Sequence, residues 1–549
     1  MNILLIILII IIVAYLIFEY AKKKRISNLM QDLSDNWGKP KKDNYFNFKI
    51  ISRYFDNTDS KFNAFHIISD KTKHDLDLDD LFEYIDRTSS KIGQQYLYYK
   101  IRTVGSPQEL TDFGNLTNEF HRDIELRKKC QIALSQINSG KSYDLESLIN
   151  DKPIDTPGYL KYLYLTSFLN MFLLIGGFFN PALFVFIIPV FIFNMVFHYK
   201  NKAVINYYLN GIVQLLKSLK VAKSLASHKV IHKYFDDFSF IKNIEKIKSK
   251  TMFVSLEKNF DNELTSIFWL LFELIKILFN VEILVFYSFI NSIKTQKQSI
   301  EAMYIFIGEL DSAISTASLK DDILTTCTPT FSLEKNISFK EIKHPLIENC
   351  ISNDLDLNKN SMLLTGSNMS GKTTFIRTVA INSLLSQTLN LCFAKEFSAP
   401  FSKLYTSIRI TDDLSQKTSY YLEEVLTAKE LIDASQNDSP CLFILDEIFK
   451  GTNTIERISA GKAILSYLNK GKNIVFVSTH DIELTELLKK DDYLLYHFSE
   501  TIENDKLYFD HKLKQGKLKT YNAIKILELH NYPSEIIKDA LEVKEKNFS

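Results

Sequence analysis

The sequence predicts a chain of mixed class: an α/β domain built around a phosphate-binding loop, an all-α core that acts as a lever, and transmembrane helices. Three observations carry this. Gly366-x4-Gly371-Lys372-Thr373 follows the apolar run MLLT and precedes the helical pattern TFIRTVAINSLL. Long stretches on either side of residue 200 repeat apolar residues at helical spacing with charged faces. Residues 3–18 and 162–199 are long runs without Asp, Glu, Lys or Arg.

The glycine-bounded segment is a complete phosphate-binding loop, with the strand and helix that such a loop requires. Its glycines let backbone N–H groups turn inward, and together with the helix N-terminus they cradle phosphate oxygens. Gly366, Ser367, Asn368, Met369, Ser370, Gly371, Lys372, Thr373 and Thr374 are therefore candidate nucleotide ligands. Lys372 is expected to reach the outer phosphates of ATP, and the Thr373 hydroxyl to take one position on Mg²⁺. About seventy residues on, Cys441 to Glu447 reads CLFILDE, a buried-strand run ending in two acids. Asp446 is the second metal candidate, and Glu447 is placed to orient or deprotonate the attacking water. A third strand, Asn473 to Ser478, leads into His480, which is positioned to sense the outer phosphate. These motifs predict a P-loop ATPase domain of the ABC type.

TGSNMSGKTT, DDLSQKTSYYLEE (Asp412 to Glu424), LDEIFKGTNT (Leu445 to Thr454) and STH (Ser478 to His480) resemble, in order, the four nucleotide-site motifs of the MutS family. The resemblance extends to His344-Pro345 and to the segment Leu518 to Glu542, which looks like the family's terminal helix-turn-helix. More weakly, Leu81 to Ile101, Glu309 to Ser315 and Cys327 to Phe331 resemble the opening and close of its helical core. The resemblance implies a head-to-tail homodimer in which Ser419 is supplied to the neighbour's outer phosphate and Gly451 to Thr454 line the interface. It also implies a supporting role for Asn368 in the loop and places His511 near the adenine. DNA, mismatched or structured, is the partner the family suggests. No candidate for the family's mismatch-reading Phe and Glu pair stands before residue 76, and residues 203–300 hold too little non-helical sequence for a full DNA clamp. The expectation is thus a member without the mismatch-reading domain.

Length and composition bound the remainder. At 549 residues the chain exceeds the roughly 250–300 residues of a single core. With 66 basic and 65 acidic residues it has no global charge for nucleic acid, so any DNA contact is local. Five cysteines with no C-x-x-C pair argue against a disulfide framework and a zinc site.

In chain order, residues 1–25 read as an N-terminal transmembrane anchor. Sixteen apolar residues are followed by Lys22-Lys23-Lys24-Arg25, the reverse of a secretory signal's charge order. The basic cluster puts the bulk of the chain in the cytoplasm and the N-terminus outside, at the inner (plasma) membrane. Residues 26–75 read as linker and irregular structure, and 76–158 as the first part of the helical core. Residues 159–199 read as a transmembrane hairpin turning at Gly176-Gly177 and Asn180-Pro181, with a buried hairpin in a soluble core as the competing reading. Residues 200–330 continue the core, with basic runs at Lys217 to Lys233 and Ile241 to Lys250 that suit DNA or anionic lipid. The apolar stretch Ile267 to Phe289, interrupted by Glu273, Lys276 and Glu282, reads as a packed or interfacial helix. Residues 331–549 form the ATPase domain with its terminal dimerisation segment. Two other functions remain open: an ATP-driven membrane switch without DNA, and a transporter-type ATPase, against which stands the absence of a leucine-serine-glycine-glycine signature.

Overall fold

The structure is a computed structural model that describes residues 2–41, 45–150, 155–255, 266–367, 369–409, 420–449, 452–503, 506–518, 523–530 and 532–548. It is a mixed helix-and-sheet chain. A six-stranded sheet runs, from one edge, Lys514–Gln515, Tyr493–His497, Ser361–Thr365, Ile474–Ser478, Cys441–Asp446, Lys403–Ser407, parallel throughout except for the first pair. All residues of Ser361–Thr365 and Ile474–Ser478 are buried, which is why these strands read as unbroken apolar runs. A four-stranded sheet (Thr330–Ser332, Glu396–Pro400, Asn336–Ile342, Asn353–Asn358) covers the flank.

The helical core is organised by the helix Val281–Leu319, whose 39 residues span about 58 Å at 1.5 Å per residue and kink at Gln296. Asp311 on this helix is fully buried and accepts from Ser89 N (2.8 Å), Ser90 N (2.8 Å) and Ser90 Oγ (2.6 Å). These bonds seat the N-terminus of the helix Lys91–Arg102 on the long helix.

Residues 26–75 differ from the irregular linker expected. The helix Asn2–Asp35 continues past the basic cluster, and short helices Phe48–Ile51, Arg53–Asn57 and Asp70–Asp75 bury Ile51, Tyr54 and Phe55 in the core. Trp37 donates to Asp321 Oδ2 (2.6 Å) just beyond the long helix, with the Arg127 guanidinium over its ring. Helices of four to six residues are too short to show periodicity, so the polar composition dominated the reading.

His66 Nε2 donates to Leu404 O (2.8 Å), linking this segment to the sheet's edge strand, while His344 lies near enough to Arg377 of the helix Lys372–Leu389 to feel its charge. Burial lowers both imidazoles to about 4. A base whose folded pKa lies below its unfolded value of about 6.5 contributes stability that is complete above pH 6.5 and lost as pH falls toward 4, roughly 3 kcal/mol per group. The thermal midpoint is expected to fall across this window, and less steeply in His66→Gln; identical slopes for the two proteins would refute the assignment.

Among the described residues, two helices are long and apolar enough to cross a membrane by length and composition, Leu160–Gly177 and the stretch Pro181–Ala226. The break between the helices Ser266–Leu278 and Val281–Leu319 is seated against them. Ser167 Oγ donates to Phe279 O (2.7 Å), and Asn170 and Asn194 donate to Leu278 O (2.7 and 3.0 Å). Asn280, at φ 51°, returns a bond to Thr166 Oγ1 (3.1 Å). Below this turn His198, Glu273, Lys276 and Glu282 form a buried ionic knot, with Lys276 Nζ 2.5 Å from Glu273 and 3.4 Å from Glu282. The stretch read as one packed or interfacial helix is therefore two, hinged at Phe279-Asn280.

Candidate functional site

The strands Ser361–Thr365, Ile474–Ser478 and Cys441–Asp446 are neighbours in register, Ser478 lying opposite both Leu364 and Asp446. Their carboxyl ends thus deliver the glycine loop, His480 and the two acids to one crevice, where ligands of parallel sheets bind. Gly366 (φ 150°) and Gly371 (φ 103°) shape the loop; a Cβ on Gly366 would lie 2.8 Å from Ser370 Oγ and 2.9 Å from Phe498 O. Gly371 opens the helix Lys372–Leu389, so the helix's free N–H groups face the crevice.

Lys372 is almost wholly buried and donates to Gly366 O (2.7 Å) and Ser367 O (3.0 Å), with His480 Nε2 at 3.2 Å. Burial, then the Lys372 ammonium, lowers the His480 pKa. The imidazole is accordingly neutral near pH 7 and contacts Glu447 Oε1 at 3.2 Å. Glu447 sits in a left-handed conformation (φ 60°) with its N–H on Ser478 O (2.9 Å), which turns its side chain into the crevice. Thr373 Oγ1 donates to Asp446 Oδ2 (2.7 Å), and Ser478 Oγ donates to the other carboxylate oxygen. A hydroxyl and a carboxylate in contact are the hard oxygen donors that suit Mg²⁺, so the residues present fit that ion.

His511 lies on the other side of the loop, with Nδ1 3.0 Å from Ser370 O and its ring stacked on Phe509. Beside it a cavity of about 390 Å³ is lined by Ile342, Asn353, Met369, Gly371, Phe375 and His511. Met369 and Thr374 are exposed at the loop's rim. Asn368, Ser419 and Gly451 lie outside the described residues; Asn453 caps the helix Thr454–Leu468 by accepting from Glu456 N (3.0 Å).

Three acidic residues escaped the sequence reading. Glu500, buried, accepts from Ser367 Oγ (2.8 Å) within the loop. Asp75, fully buried, accepts from Thr406 Oγ1 (2.7 Å), Ile408 N (3.1 Å) and Arg409 N (2.8 Å). Asp77 holds Arg409 through both of its oxygens (2.5 and 2.8 Å) and Arg377 of the phosphate-loop helix at 3.1 Å. Arg409 directly precedes residues 410–419. No local pattern announces a contact between positions more than 330 apart.

The comparisons bear on this site. The family model for MutS domain V matches residues 362–547, which include the loop, both acids, His480 and His511. The DNA mismatch repair protein MutS of Listeria welshimeri is 31% identical over 277 residues, 48% of this chain and 32% of that protein. The MutS of Pseudothermotoga lettingae is 34% identical over 225 residues, covering 39% of this chain and 27% of its own. Residues 362–547 thus match MutS domain V, and the likeness to the MutS proteins covers 39–48% of this chain. Similarity to MutS of Staphylococcus haemolyticus, 31% over 259 residues, has the same partial extent, 45% of this chain and 29% of the relative. The chain thus spans about a third or less of the length of the MutS proteins it matches.

Proposed function

We propose that the chain is a membrane-anchored MutS-type P-loop ATPase, in which ATP binding and hydrolysis open and close a homodimer that engages mismatched or structured DNA. The observation that carries the ATPase reading is the convergence of Lys372, Thr373, Asp446, Glu447 and His480 at three adjacent strand ends. Lys372 binds and neutralises the outer phosphate, and the loop's backbone N–H groups orient it for in-line attack. Glu447 holds the attacking water and takes its proton, while the neutral His480 ring positions the Glu447 carboxylate. Bound Mg²⁺, held by Thr373 and Asp446, would supply charge neutralisation on the phosphate oxygens. The cavity beside His511 suits the adenine. In this reading Asn368 supports its own loop, while Ser419 and the Gly451–Thr454 loop complete the neighbour's site across the dimer; Met369 and Ile455, 72% and 80% exposed, give the rim an apolar surface for a second copy.

Membrane attachment is part of the same proposal. The helix Asn2–Asp35 exposes Leu5, Ile9, Ile12, Val13, Leu16, Ile17 and Phe18, and the hairpin exposes Phe168, Phe172, Phe178 and Phe179, a set that water solvates poorly and hydrocarbon well. The orientation proposed is N-terminus outside, with the bulk of the chain in the cytoplasm at the inner membrane. A second reading, an ATP-driven membrane switch without DNA, draws on the long helix Val281–Leu319, which runs from the hairpin's polar grip to the Asp311 contact in the core.

ATP turnover of the detergent-purified chain, measured with heteroduplex, branched and plain duplex DNA across a salt series, tests both. The DNA reading expects retention on filters that falls steeply with salt and a change in turnover with one DNA form. Turnover indifferent to every DNA, with no retention at about 50 mM salt, leaves the switch; no turnover in any assembly state ends both.

A further inference from the structure

Cys327 and Cys392 form an isolated antiparallel bridge, exchanging backbone bonds in both directions (Cys327 N to Cys392 O, 2.9 Å; Cys392 N to Cys327 O, 3.0 Å). Such a hydrogen-bonded pair places its Cα atoms about 5.5 Å apart, within the span a disulfide bridges. The bridge stands outside any longer ladder. Both cysteines are free thiols.

Their surroundings differ. Cys392 is fully buried and also reaches Asn382 O (3.5 Å) on the phosphate-loop helix. Cys327 is half-buried and lines the wall of an open groove of about 720 Å³, with Thr328, Lys340, Lys395 and Glu396. The Cys392 thiol beside it holds Cys327 below the ordinary thiol range, whereas burial pushes Cys392 well above it. A half-exposed thiol facing a groove next to a fully buried one is the placement of an attacking and a resolving cysteine. The placement has a mechanical meaning. Cys327 stands in the connection between the long helix, which ends at Leu319, and the strand Thr330–Ser332. Cys392 stands three residues past Leu389, the end of the helix that begins at Lys372.

We propose that Cys327 and Cys392 are a reversible dithiol–disulfide pair that, when oxidised, staples the exit of the long helix to the phosphate-loop helix. With glutathione disulfide as oxidant, the Cys327 thiolate attacks one sulfur and releases one glutathione thiolate. Cys392 then gives up its proton and attacks the Cys327 sulfur of the mixed disulfide, releasing the second glutathione. Two protein thiols are oxidised to one disulfide, and one glutathione disulfide is reduced to two glutathiones. In a reducing compartment the pair rests as thiols, so bond formation reports oxidation. The inference goes beyond the ATPase reading and is tested without measuring ATP turnover.

The test is incubation of the reduced, detergent-purified full chain with glutathione disulfide, followed by alkylation and non-reducing peptide mapping. A peptide pair linked through Cys327 and Cys392 is expected as the main product, in the wild type and in Cys350→Ser alike, and it disappears with dithiothreitol. Cys392→Ser is expected to stop at a glutathione adduct on Cys327. Hydrogen exchange in residues 320–332 slows on oxidation and recovers on reduction. The proposal is overturned if Cys327 stays alkylatable in the native protein, if its glutathione adduct accumulates in the wild type without resolving, if linkage needs denaturant, or if exchange in 320–332 is unchanged by the bond. A thermal midpoint for Cys327→Ser close to the wild type shows that the unlinked fold is intact.

Discussion

Replacing Lys372 with alanine is expected to lower ATP turnover by about 10²–10³-fold, the usual consequence of removing one donor aimed at transition-state charge. The residue sits at the first position of its helix, where alanine is well tolerated, so the fold is expected to survive. Its ammonium lies between two loop carbonyls and His480, at the mouth of the crevice where the proposed function puts the outer phosphate. Glu447→Gln separates binding from chemistry: nucleotide affinity is retained while turnover falls, because the amide keeps the shape and loses the base. A Lys372→Ala protein that hydrolyses ATP within twofold of the wild type would remove the basis for the site.

The second large effect is on stability. Asp75→Ala strips the acceptor from two backbone N–H groups and the Thr406 hydroxyl in a fully buried place. Each orphaned donor costs about 1–3 kcal/mol, and the set is expected to cost about 3 kcal/mol after partial relaxation. Asp75→Asn, which keeps one acceptor oxygen, is expected to lose less. Because Asp75 fixes Ile408 and Arg409 at the end of the edge strand, chemical denaturation should show the loss as a lower midpoint with an unchanged slope. A midpoint for Asp75→Ala equal to that of the wild type would mean that these bonds are replaced in solution.

What could be read from the chain followed the range of the interactions. The loop from Gly366 to Thr373 and the acidic end of Cys441–Asp446 are local patterns, each carrying its own strand or helix signal. The MutS likeness is legible for the same reason: its motifs are contiguous. Asp75, Asp77 and Glu500 act on partners far away in sequence, and an acid in a polar stretch resembles a solvated one until its partner is placed. The segment 26–75 reads as irregular because its few core residues, such as Tyr54 and Phe55, lie on very short helices. Conversely, the interruptions of Ile267 to Phe289 by Glu273, Lys276 and Glu282 were visible, but their pairing with His198 was not.

The grip on Leu278, Phe279 and Asn280 bears on how the protein can be handled. Excising residues 159–199 to obtain a shorter chain would take away Ser167, Asn170 and Asn194, leaving two backbone carbonyls without their donors at the foot of the 39-residue helix. The cut therefore would not leave a clean scar. The apolar hairpin is wired into the scaffold by polar bonds and cannot be swapped out as a cassette.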